Sequence, residues 1–262
     1  MKREIIQDVS IAAAILVANA GLIFLPAQRA TARDMEVRVL ASDGMKPALQ
    51  ALLPQIEHLI GHRVAPDFEP SKALKQKIQS GEVFDVAILA SNNIDELIQE
   101  GKIAAKTRTE LGRTGIGVGI RAGAPKPDIG TPEAIEQAML NATSITFNRD
   151  GASAVHINEM FAHLGIADKV KPKFILEQDP GQPQRDVIDG KAELVIALIP
   201  EIAAFEGLEF VGPLPADLQS YIDFSAGVAS NSHNAASAKV LIKFIASPAA
   251  APILRAKGVS SR

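Results

Sequence analysis

Three times along this chain a short apolar run stops at a turn of small polar residues and helical periodicity begins. A sequence repeating that arrangement has few folds open to it. The first instance is Val37 to Leu53, VRVLASDGMKPALQALL. Val37, Val39 and Leu40 read as a buried strand, while Leu49, Leu52, Leu53 and Ile56 recur at helical spacing. Ser42 and Asp43 are N-cap types and Gly44 lets the backbone bend, so a hydroxyl and free N–H groups would face outward at the positive end of a helix. That environment suits a small anion, although an ordinary capped turn has the same residues. The second instance is RVAPDF, Arg63 to Phe68, ending at Glu69-Pro70-Ser71 before a helix from Ala73. The third is Ser144 to Phe147, ending in Asn148-Arg149-Asp150-Gly151-Ala152-Ser153 before a helix with Val155, Ile157, Met160, Phe161 and Leu164. Successive strand ends that each deliver a serine and a helix start predict a crevice at the carboxyl edge of a parallel sheet.

Between these instances FDVAILA (Phe84 to Ala90) and LVIAL (Leu194 to Leu198) read as buried strands, with a helix from Ile94 to Glu100 and another from Arg185 to Asp189. The alternation predicts an α/β fold. TGIGVGI, Thr114 to Ile120, alternates glycine with branched residues and suits an extended strand where backbones approach closely. It lacks the helix opening that a dinucleotide fingerprint needs. Thr131 is placed to cap a helix starting at Pro132, and Phe224 to Ala229 (FSAGVA) reads as a return crossing.

The composition narrows the functions. A net charge of −3, 4% aromatics and no Trp argue against a nucleic-acid partner. The absence of Cys excludes disulfides, thiolate metal sites and Cys nucleophiles. No GxSxG or phosphate-cradling glycine loop is present. His58 and His62 have the His-x-x-x-His spacing, but they flank a helix end and read as a favourable C-terminal charge more than as a metal pair, so neither a metal nor a cofactor is called for. At the start of the chain Lys2 and Arg3 precede an uncharged apolar run, Ile11 to Pro26, and Ala30-Thr31-Ala32 has small residues where a signal peptidase reads. Residues 1–32 are therefore expected to be a secretory signal, the run being shorter than the ~20 residues of a spanning helix.

The segments VLASDGMKPAL, FEPSKALKQKIQSGEVFDVAILAS, RTGIGVGIRAGAPKPDI and FNRDGASAVHINEMFAHLGI together resemble the type 2 periplasmic solute-binding proteins. The likeness is to their molybdate-binding branch, which includes the aconitate isomerase group. It covers the whole mature chain and implies an α/β, two-lobed fold with two crossing strands. Lobe 1 would be residues 36–112 plus 224–262, and lobe 2 residues 113–223. It also implies a periplasmic monomer that closes on a small anionic ligand and hands it to an inner-membrane ABC transporter. Carried over residue by residue, Ser42 and Ser71 match the family's two serines, and Ala152 and Ser153 fall at its second-lobe contact.

The chain departs from the molybdate pattern where that family has a ligand-facing Tyr, for Leu198 stands near that place. It also sets Lys72 beside Ser71, Arg149 beside the second-lobe turn and Arg113 at the crossing. Guanidinium groups suit planar carboxylates, so an organic di- or tricarboxylate is the expected ligand, in a cavity of positive potential. The alternative is an enzyme interconverting cis- and trans-aconitate by moving one proton. His156, Asp43 and Asp150 are then the candidate bases.

Overall fold

The structure is a computed structural model and describes residues 36–261; the expected signal segment and its cleavage site lie outside them. The expected α/β architecture is present. Strands β1 (Glu36–Ser42), β2 (Arg63–Glu69) and β3 (Val86–Ala90) are parallel, in the order β2-β1-β3. They alternate with helices α1 (Lys46–Ile60), α2 (Ser71–Gln79) and α3 (Ser91–Gln99). The second half repeats the plan. Strands β5 (Ile145–Asn148), β6 (Phe174–Glu177) and β7 (Leu194–Leu198) are parallel, in the order β7-β5-β6.

One long strand joins the halves. β4 (Thr109–Arg121) pairs along its first part with β9 (Tyr221–Val228), which borders β3. From Ile116 onward it pairs with β7, and from Gly117 with β8 (Leu208–Pro213). Where β4 changes partners, the Gln219 side chain takes the place of a strand: its Oε1 accepts from the Ile116 N–H at 2.8 Å and its Nε2 donates to the Ile116 carbonyl at 2.9 Å. The glycines make this packing feasible. A Cβ on Gly115 would lie 3.1 Å from the Gln219 amide, and one on Gly117 would lie 2.6 Å from the Phe210 ring and 2.8 Å from the Gly212 carbonyl oxygen. Gly117→Ala is accordingly expected to cost about 1–3 kcal/mol, the usual range for overpacking, as a lower urea midpoint at unchanged slope. An unchanged midpoint would mean that β8 yields freely.

Helices α4 (Pro132–Asn141), α5 (Ala154–His163), α6 (Ala167–Val170) and α7 (Gln182–Ile188) cover the second half, with α8 (Ile199–Ala203) directly after β7. Thr131 caps α4 as expected, its Oγ1 accepting from the Ala134 N–H at 3.1 Å. The terminal helices α9 (Ala235–Ile245) and α10 (Ala251–Ala256) belong with the first half, α9 and α10 both packing on α1. Leu49, Leu52 and Ile56, read at helical spacing, are all buried. Among the described residues no helix is long and apolar enough to cross a membrane.

Three local expectations change. Ser42 makes no side-chain cap; the chain passes through a 3-10 turn, Asp43–Met45, before α1 begins. The helix expected from Arg185 instead begins at Gln182, because proline, here Pro183, is tolerated in a first turn where its missing N–H has no intrahelical partner. α8 is not foreshadowed in the sequence. Five residues give no periodic signal, and Pro200 reads as a breaker in sequence while it sits in the first turn of the helix.

Candidate functional site

Loops from both halves line one cavity of about 100 Å³. That is room for several waters or one small solute. From the first half come Ser42, Asp43, Lys46 and Pro47 at the β1–α1 junction and Pro70 before α2. From the second half come Asn148, Gly151, Ala152 and Ser153 after β5, and Pro180, Gly181, Pro183, Gln184 and Arg185 at the start of α7. The end of β7 and helix α8 add Ile196, Ala197, Glu201, Ala204 and Phe205. The strand-end crevice expected from the repeated turns is thus present, and Ser42, Asp43, Ala152 and Ser153 meet on its wall.

The other expected residues stand elsewhere. Ser71 is buried, and its Oγ accepts from the Ala90 N–H at 3.1 Å, which stitches α2 to β3. Lys72 lies outside the wall and spans the halves, its Nζ 3.2 Å from Asp150 Oδ1. Asp150 also accepts from Gln178 Nε2 at 3.0 Å. These bonds, Gln178 first and Lys72 second, hold its carboxyl below the usual carboxylate range, so it is a weak base. The Arg149 side chain is half exposed, with Nε 3.8 Å from Asp150 Oδ2. The Arg113 guanidinium lies 4.3 Å from the centre of the Tyr221 ring, a cation–π placement on the β4–β9 pair and not on the wall. His156 Nδ1 lies 3.2 Å from Glu159 Oε2 on the outside of α5. Residue type and closeness to a turn drew attention to these side chains, but the direction of a side chain is not readable from either.

In their place the wall has two cations that went unnoticed, Lys46 and Arg185. Lys46 lies over the Phe68 ring, 5.7 Å from its centre. Arg185 donates from Nε to Gln182 Oε1 at 3.1 Å and from Nη2 to the Pro180 carbonyl at 3.1 Å, so its guanidinium is held in place. Neither makes a salt bridge to a carboxylate among the described residues. The only hint in sequence was that each sits within the first turn of a helix.

The cavity is not of one sign, contrary to the expected positive potential. Burial pushes the Asp43 carboxyl up to about 7, against the pull of Lys46 and helped by Glu69 and Asp67. Burial and then the charge of Asp43 push Glu201 up to about 8, with the Leu198 amide drawing it back. Two carboxyl groups that change charge near neutrality therefore face one enclosed space. Among the described residues no group of His, Asp and Glu is placed to hold a metal ion.

The raised Glu201 value has a consequence for stability. The folded chain binds this proton more tightly than the unfolded chain, so the stability it confers is complete below the ordinary glutamate range and is lost as pH rises through about 8. Gln cannot ionise. Glu201→Gln is expected to match the parent melting temperature at acidic pH and to exceed it by roughly 5 °C above pH 9. Equal melting temperatures across that range would show that Glu201 is not held in a desolvated place.

The expected kinship is found across the described fold. A protein described as aconitate isomerase, from Pseudomonas sp., is 28% identical over 230 residues, covering 84% of this chain and 86% of that protein. The solved Azotobacter vinelandii periplasmic molybdate-binding protein superposes with a TM-score of 0.74 at 19% identity, covering 86% of this chain and 99% of that one. A tungstate ABC transporter structure from Geobacter sulfurreducens gives 0.66 at 14% identity, covering 84% and 98%. Matched from residue 37 to residue 260, the chain belongs to the bacterial extracellular solute-binding protein family.

Proposed function

We propose that this protein captures a small organic carboxylate, a di- or tricarboxylate, in the cavity between its two halves. The supporting observation is that Lys46 and Arg185, from opposite halves and with no salt bridge to a carboxylate among the described residues, share that wall with Ser42 and Ser153. A planar guanidinium and an ammonium together can hold a carboxylate that no tetrahedral geometry is needed to fit. On this reading the lobes are residues 36–112 with 224–262 and residues 113–223, and they close on the solute about β4. The Lys72–Asp150 pair would then fasten the closed state from outside. The protein is exported to the periplasm and delivers its solute to an inner-membrane ABC transporter.

One observation favours a second reading, proton-transfer isomerisation of aconitate in the same cavity. Asp43, held up to about 7, suits a general base working near neutral pH. Cis–trans interconversion needs a proton removed and returned on an allylic carbon while the carboxylates are held, and hydroxyls and cations on the wall would stabilise the charge that develops.

The two readings part in one experiment, in which the pure protein is mixed with trans-aconitate and followed by calorimetry and by chromatography for cis-aconitate. One-to-one binding without conversion supports capture alone, and conversion supports the isomerase. Neither heat nor conversion with trans-aconitate, citrate or succinate would overturn the carboxylate reading.

A further inference from the structure

The wall of the cavity is not polar throughout. Phe205, half-buried on the turn after α8, lines it together with Ala204, and the end of β7 adds Ile196 and Ala197. The Phe205 ring reaches the N-terminal end of α7. A Cβ on Gly181 would stand 2.6 Å from Phe205 Cζ, 3.5 Å from its Cε1 and 3.0 Å from Arg185 Nη1, so the tip of the ring and the guanidinium close on the same point of the wall. Gly181 allows this in two ways. It puts no side chain between them, and it holds the left-handed φ of 71° that other residues rarely adopt. A cation and an apolar ring thus stand side by side on one cavity. An inorganic oxyanion presents oxygens in every direction, and an oxygen set against the ring would lose water without gaining a hydrogen bond. A carboxylate on a carbon skeleton has oxygens at one end only.

We propose that Phe205 is a specificity residue of this cavity: with a carboxylate of the solute on Arg185, the carbon skeleton that carries it lies against the Phe205 ring, which favours acids with such a skeleton over anions without one. This rests on the reading of the cavity as a carboxylate site and adds which part of the solute is selected. Arg185 attracts any anion, so it distinguishes poorly between them. The ring supplies the difference, since specificity is a difference of affinities and only the carbon part of the solute gains from an apolar neighbour. Lys46, from the other half, is left for a second carboxylate. A single methylene against an apolar wall is worth about 10- to 200-fold in discrimination.

The test is calorimetric titration of the full mature protein, and of its Phe205→Ala and Phe205→Leu variants, with trans-aconitate and with oxalate, a dicarboxylate that has no carbon between its carboxyl groups. The parent is expected to bind trans-aconitate more tightly than oxalate by at least about 10-fold. Phe205→Ala is expected to weaken trans-aconitate by about 10- to 100-fold while oxalate stays within a few fold. Phe205→Leu, which keeps apolar bulk, is expected to hold the parent's preference. The ratio of the two affinities is the readout, because the substitutions change no charge and a merely structural loss would weaken both ligands alike. The comparison on the parent needs no variant. Oxalate bound by the parent as tightly as trans-aconitate, or a ratio unchanged in Phe205→Ala, overturns the proposal and leaves carboxylate capture standing. No heat from either, nor from citrate or succinate, overturns both.

Discussion

Asp43→Asn is expected to lower conversion of trans-aconitate by about 10²- to 10⁴-fold, the usual contribution of a positioned general base, while binding stays within a few fold. Asn keeps the shape and one acceptor but cannot take a proton. The parent rate should rise with pH as Asp43 ionises near 7 and fall again as Glu201 loses its proton near 8, giving a narrow bell. His156→Ala is the matched control, expected to leave conversion unchanged because its imidazole pairs with Glu159 away from the wall. Stopped-time chromatography of both isomers over pH 5–10 reads all three. Full activity in Asp43→Asn would remove Asp43 as the base, and loss of activity in His156→Ala would put the chemistry elsewhere.

Arg185→Ala is expected to weaken trans-aconitate binding by roughly 10- to 100-fold, the worth of charge-assisted hydrogen bonds. The guanidinium is held by Gln182 and the Pro180 carbonyl and spends nothing on a carboxylate of the described residues, so its loss falls mainly on the ligand. Arg113→Ala makes the contrast. Its guanidinium lies on Tyr221, and its removal should lower the melting temperature with little change in affinity among molecules that remain folded. Calorimetry reads the pair, and the reverse ranking would return the site to the residues first singled out by sequence.

Most of the frame was legible before the structure because apolar periodicity and small polar turns are local signals. β1, α1, β2, β5, α5 and β7 each have one. The alternating glycines of β4 also spoke for themselves, since only a crowded extended strand gives up that much side-chain bulk. The site was legible only in part. Ser42, Asp43, Ala152 and Ser153 belong to turns whose backbone is fixed by neighbours in sequence, and they face the cavity. Arg113 and Lys72 are long side chains whose direction depends on distant partners, Tyr221 and Asp150, while Arg149 is half exposed and lies near its own neighbour Asp150. Glu201 was hidden for another reason. It lies on a five-residue helix, and only the folded chain brings it against Asp43, some 158 positions earlier by their numbers (201 − 43). A carboxylate that acquires its unusual proton affinity by burial leaves no mark in sequence.

The most direct test of the account is a crystal structure of the protein grown with trans-aconitate. One molecule is expected, enclosed between the halves, with a carboxylate on Lys46 and Arg185 and the Ser42 and Ser153 hydroxyls within hydrogen-bond reach. A molecule bound instead along Arg113 or Arg149, or a cavity empty of ligand at saturating concentration, would contradict it.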